Sequence, residues 1–127
     1  GVAECGIKDI RVYDISKTEV SFIMSDIWKY KAVVLGAASH YGCVFPNMSL
    51  LLHELVEFRP HNKVFGIFGG MSWSGGGVKT IMATAECAKW NVIADPVEVK
   101  GAPIREEDID KLYNLGKTIG MAVLQNN

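Results

Sequence analysis

Apolar and polar positions along this 127-residue chain follow two distinct rhythms. Residues 32–36 (AVVLG) and 64–69 (VFGIFG) are apolar without a break. Such runs mark strands covered on both faces, as in a parallel sheet. Residues 10–15 (IRVYDI) are rich in β-formers and predict a further strand, as do residues 92–99 (VIADPVEV). Pro96 has no N–H to give to a ladder, so the last strand belongs at an edge. Between these runs, apolar residues recur three and four apart, the spacing of an amphipathic helix. Val20, Ile23, Ile27 and Trp28 make one such face, with Ser16 or Thr18 as its cap. Met48, Leu51, Leu52, Leu55 and Val56 make a second behind Asn47, and Val78, Ile81, Met82, Ala85 and Ala88 make a third. A last helix starts near Glu106, with Ile109, Leu112, Ile119 and Val123 inward. Glu106, Glu107 and Asp108 fall in its first turn, where the helix dipole favours acids.

Strand and helix therefore alternate, which specifies a parallel sheet with helices on both faces in a single α/β domain over residues 1–127. Composition agrees, with 49% hydrophobic and 21% charged residues, ordinary for a globular domain. A net charge of -1 leaves no global field for steering onto nucleic acid or an anionic membrane, so neither is expected as a partner. No apolar run approaches the ~18 residues of a membrane span, and no basic segment followed by an apolar one marks a signal peptide. Cys5, Cys43 and Cys87 form no CxxC pair, which argues against a disulfide scaffold or zinc site and for a reducing, cytoplasmic home. The chain opens Gly-Val rather than with Met, as a processed product, a cloned segment or a fragment would.

Ligands of open α/β sheets bind beyond the carboxyl ends of the strands. Two loops leave such ends, residues 37–46 (AASHYGCVFP) and 69–77 (GGMSWSGGG). Ser39, His40, Tyr41 and the bare backbone of Gly42 stand in the first; Ser72, Trp73 and Ser74 stand among five glycines in the second. Glycine lets backbone amides approach a planar ligand, rings supply stacking faces, and hydroxyls reach ring nitrogens and carbonyls. That set suits a flat heteroaromatic cofactor better than a metal or a phosphate ester. Simpler roles compete: the glycines as a tight turn with Ser74 as cap, Trp73 as a rim residue, His40 and Tyr41 as solvated loop. His53 lies on a helix and His61 in a polar turn, neither with a ligand partner, and Cys43 has no neighbouring base. Residues 106–110 read as a helix start rather than a metal site. No Ser-His-Asp set, HExxH or Walker motif occurs.

The run VYDISKTEVSFIMSDIWKYKAVVLGAASHYGCVFPNM, followed by KVFGIFGGMSWSGGGVK, resembles the flavodoxin-like domain at the C-terminus of flavodiiron proteins (A-type flavoproteins). The resemblance extends to the closing VEVKGAPIREEDIDKLYNLGKTIG. It implies a flavodoxin-like three-layer sandwich holding FMN between the two loops. Ser39, His40, Tyr41 and Gly42 would flank the ring on one side, and Gly70, Met71, Ser72, Trp73, Ser74 and Gly75 on the other. Family members often read Ser-Pro-Thr-Tyr-Asn where this chain has Ala37, Ala38, Ser39, His40 and Tyr41, and Ser-Tyr where it has Gly70 and Met71. These changes keep small and aromatic character but remove hydrogen-bonding groups. By the same resemblance, the flavin takes electrons from a rubredoxin-like protein or a flavin reductase. It passes them to a di-iron centre on a separate domain that reduces oxygen or nitric oxide. No residue here need act as acid, base or nucleophile. The competing expectation is a degenerate module that has lost FMN and serves in interaction or assembly.

One departure from the family is large. Residues 1–7 (GVAECGI) resemble the tail of the first helix, so the first strand and the phosphate-holding loop after it are not in this sequence. In the 2-1-3-4-5 strand order, that strand lies between residues 10–15 and residues 32–36. Strands pair at ~4.8 Å, so its absence would leave a slot about 10 Å wide with unpaired backbone on both sides. The expectations are a homo-oligomer, because open edges favour association, and weakened FMN binding without the phosphate contacts.

Overall fold

A computed structural model describes residues 1–38, 44–71, 75–101 and 104–125. After a 3₁₀ turn at Ala3–Cys5, the elements are α1 (Val20–Lys29), β1 (Ala32–Ala38), α2 (Pro46–Phe58), β2 (Val64–Met71), α3 (Gly77–Ala88), β3 (Asn91–Val92), β4 (Val97–Lys100) and α4 (Glu106–Gln125). β1 and β2 pair in parallel throughout, from Ala32 opposite Val64 to Ala38 opposite Gly70. β3 and β4 both run parallel to β2 on its other side, Val64 facing Asn91 and Phe68 facing Val97. β2 is thus central, as its unbroken apolar sequence requires.

Alternation along the strands builds the layers. Val33, Leu35, Phe65 and Ile67 point into one core with Ile23 and Ile27 of α1, Leu51 and Leu55 of α2, and Ile81 and Ala85 of α3. Leu55, Ile67 and Ile81 are fully buried. Trp90, just after α3, stacks on Phe65 with ring centroids 4.5 Å apart. The other face belongs to α4: a Cβ on Gly66 would lie 2.8 Å from Ile119 Cδ1. The result is the expected α/β three-layer sandwich with a parallel sheet.

Several local expectations are corrected. Residues 10–15 form no strand. Their β-forming side chains have no ladder partner among the described residues, and polar contacts tie the segment to its neighbours instead. Arg11 Nε donates to the Tyr30 hydroxyl at 3.0 Å, Tyr30 donates to Asp9 at 2.9 Å, Tyr13 donates to Asp26, and Asn47 Nδ2 donates to the Ile15 carbonyl at 2.8 Å. The Asp26 bond holds the Tyr13 proton and raises its pKa, while bonds from Ser16 lower that of Asp14. Asn47 is therefore a strut rather than a cap; α2 begins at Pro46, with Phe45 as N-cap. α1 follows Glu19, with neither Ser16 nor Thr18 as its cap.

The strand read at 92–99 splits into β3 and β4 around Pro96, both at the sheet edge the proline required. Met24 completes the buried stripe of α1, and Trp28 falls to its margin, 50% exposed. In α4, Leu115 and Ile119 carry the burial and Ile109 is exposed. Asp108 is buried because its carboxylate accepts from the Arg105 amide at 3.2 Å, half of a capping box. The acidic cluster is a helix start, as read.

At the end of the sheet, backbone comes unusually close to backbone. A Cβ on Gly69 would sit 2.4 Å from the Ala37 carbonyl oxygen and 2.6 Å from Val78 Cγ2, whereas one on Gly70 would meet nothing nearer than the Val99 carbonyl oxygen at 3.9 Å. In urea unfolding, Gly69→Ala is expected to cost about 1–3 kcal/mol. Gly70→Ala should stay within about 0.5 kcal/mol of the parent. Equal effects would contradict this packing.

Candidate functional site

β1 and β2 end side by side, Ala38 opposite Gly70, so the segments that continue from them leave one end of the sheet. α3 starts at the same place: a Cβ on Gly77 would lie 3.3 Å from the Ala38 carbonyl oxygen. Gly76, the residue before α3, has φ 149° and ψ -31°, a backbone that side-chain-bearing residues avoid. Its carbonyl accepts from the Thr80 amide at 2.9 Å and the Thr80 hydroxyl at 2.6 Å, which locks the helix start against the strand ends. Three main-chain segments therefore converge at the carboxyl end of the two central strands, where open α/β sheets take their ligands.

Of the residues expected to bind, Gly70, Met71 and Gly75 are brought together here. A Cβ on Gly75 would lie 3.4 Å from Met71 Sδ and 3.7 Å from Glu98 Oε2. Ser39, His40, Tyr41, Gly42, Ser72, Trp73 and Ser74 lie outside the described residues, as does Cys43. Val44, where the first segment resumes, is buried in the core. His53 and His61 are exposed and remote from the strand ends, and Cys5 packs on α4 with Sγ donating to the Lys117 carbonyl at 3.6 Å.

Glu98 was missed by sequence reading. It sits on β4 opposite Gly69, and its carboxylate reaches toward Gly75. The one sequence signal was its place two residues beyond Pro96, near the carboxyl end of an edge strand.

Among the described residues, no group of three or more His, Cys, Asp or Glu could hold a metal ion, and no helix is long and apolar enough to cross a membrane. A groove of about 880 Å³ runs between α1 and α2, lined by Lys17, Glu19, Trp28, Leu50, Glu54 and Phe58 among others, and includes no residue of β1 or β2. Lys63 is buried before β2, where its ammonium donates to the Tyr30 carbonyl and burial lowers its pKa; this holds the α1–β1 connection, far from the strand ends.

No protein-family model matches the chain. Its sequence is 30% identical over 115 residues to a nitric oxide reductase of Moorella thermoacetica, covering 91% of this chain and 29% of that protein. Its structure superposes on the rubredoxin oxygen:oxidoreductase of Desulfovibrio gigas with a TM-score of 0.89 at 28% identity, over 97% of this chain and 30% of the other. It also superposes on an archaeal flavodoxin with a TM-score of 0.79 at 19% identity, over 96% of this chain and 82% of the flavodoxin. The chain thus spans less than a third of the length of the two oxidoreductases and most of the flavodoxin. Sequence and fold agree that the chain belongs with the flavodoxin-like domains of the flavodiiron proteins.

Proposed function

We propose that this chain is an FMN-binding electron-transfer domain of a flavodiiron-type flavoprotein. The observation that carries the reading is the shared carboxyl end of β1 and β2, where Gly70, Met71 and Gly75 meet the start of α3. The open surroundings of Gly70, where a Cβ would meet nothing nearer than the Val99 carbonyl oxygen at 3.9 Å, support a flat ring at this edge. Ser39, His40, Tyr41 and Gly42 would close over one side of the ring, and Gly70, Met71, Ser72, Trp73, Ser74 and Gly75 over the other. Backbone amides would bond the ring's polar edge, and His40, Tyr41 and Trp73 would offer faces to it.

Bound FMN would supply the redox chemistry, and the protein would bind, orient and shield it. Glu98 would place a carboxylate near the ring and disfavour added negative charge there. Likeness to a rubredoxin oxygen:oxidoreductase and to flavodiiron cores supports a rubredoxin-like donor and a di-iron domain as acceptor, with a flavin reductase as the other donor this reading allows. A cytoplasmic setting agrees with this.

The test is titration of the purified chain with FMN and, in parallel, riboflavin, followed by flavin fluorescence. Both are expected to be quenched with dissociation constants within a few-fold of each other, because residues 1–127 hold no phosphate loop after a first strand. A phosphate site would instead favour FMN by roughly tenfold or more for each charge-assisted bond of ~1.5–3 kcal/mol. Trp73→Ala should weaken both flavins about threefold to tenfold, the loss of one stacked ring at ~0.5–1.5 kcal/mol. Failure of both flavins to bind the folded chain overturns the reading and favours a module without cofactor.

A further inference from the structure

We propose that the groove between α1 and α2 is a docking site for a short, basic, amphipathic helix of a partner protein. The inference is independent of flavin binding, because no residue of β1 or β2 lines this groove.

The groove follows from the way the two helices bury their stripes. Val20, Ile23, Met24 and Ile27 of α1 and Met48, Leu51, Leu52 and Leu55 of α2 join the core. The residues next round each helix make the walls. On α1 these are Ser21, Ser25 and Trp28, spaced by four and three; on α2 they are Leu50, Glu54 and Phe58, each four apart. The two serines are too small to close the space, so the groove reaches down to Val20 and Met24. Trp28, Leu50 and Phe58 are 50%, 49% and 57% exposed, three large apolar side chains gathered in one place rather than scattered over the surface. The ten residues of α1 make it about 15 Å long, room for roughly three turns of a helix laid alongside. A helix in such a groove is anchored by apolar residues at i, i+3 or i+4, and i+7.

Charge sets the sign of that helix. Lys17 stands at the rim, but its ammonium lies 4.0 Å from Asp14, whose carboxylate also accepts from the Ser16 amide at 3.0 Å and hydroxyl at 2.6 Å. Glu19 and Glu54 line the groove too, and neither forms an ion pair among the described residues. Two carboxylates are thus left to a partner beside apolar walls, and the Trp28 ring offers a further face to a cation. Lys or Arg flanking an apolar stripe satisfies both features. An acidic helix would set like charges against Glu19 and Glu54. Contact over so short a groove belongs with weak, transient interfaces.

The experiment titrates the isotopically labelled 127-residue chain with a synthetic peptide of leucine and lysine about four turns long, its leucines on one helical face, followed by amide NMR. The same peptide with glutamate for every lysine is run in parallel. Shift changes should centre on residues 21–28 and 50–58, and the lysine peptide should bind at least about tenfold more tightly than the glutamate one. Leu50→Asp should weaken the lysine peptide about tenfold or more, and Glu19→Lys with Glu54→Lys should reverse the preference between the two peptides. Both variants should leave the melting midpoint little changed, because these residues lie outside the buried stripes. Equal affinity for the two peptides, binding of neither, or shift changes centred elsewhere overturns the proposal. So do groove shifts that grow with chain concentration in the absence of peptide, which make a second copy the occupant.

Discussion

The parallel pairing of β1 with β2 is the constraint on which the rest of the structure depends. It aligns Val33 and Leu35 with Phe65 and Ile67 on one face, giving α1, α2 and α3 a common surface to bury against. Each such side chain contributes about 1.5–3 kcal/mol by leaving water. The same register brings Ala38 level with Gly70, so the two strands end together and whatever follows them must share one space. A slip of one residue would turn one strand's core-facing set to the other face and stagger the strand ends. Close packing at Gly69 and Gly77 fixes α3 to this arrangement, because Gly69 leaves room for Val78 and Gly77 lies against the Ala38 carbonyl.

Much of this is legible in the residues themselves. The runs at 32–36 and 64–69 have no polar face, so they had to be central strands, and the helical stripes between them had to be the layers around them. The strand at 10–15 was misread because its composition states a preference, while pairing depends on a partner remote in sequence. Trp28 and Ile109 were placed inward by spacing alone. The first falls about one side chain beyond the stripe completed by Met24, and the second lies nearly two turns ahead of where Leu115 and Ile119 are buried. Asn47 looked like a cap by type, yet its amide reaches the Ile15 carbonyl, a contact that only the folded chain creates.

The proposed site is less fully described. Glycine and aromatic residues after two buried strands pointed to the carboxyl end of the sheet; of these, Gly70, Met71 and Gly75 lie among the described residues, and Gly75 packs near Met71. Glu98 could not be read from local pattern, because its nearness to Gly75 follows from the pairing of β2 with β4, which no motif encodes. At the end of β1 and β2, the described features are the open surroundings of Gly70 and the Glu98 carboxylate near Gly75, both set by how the central strands pair.

That account places the flavin at one end of one strand pair, and the most direct measurement is a two-dimensional amide NMR spectrum of the labelled chain with and without FMN. The account predicts shift changes concentrated in residues 36–45, 68–78 and 98–100, with the α1–α2 groove around Trp28, Leu50 and Phe58 unmoved. Changes centred on that groove, or none anywhere at saturating FMN, would contradict it.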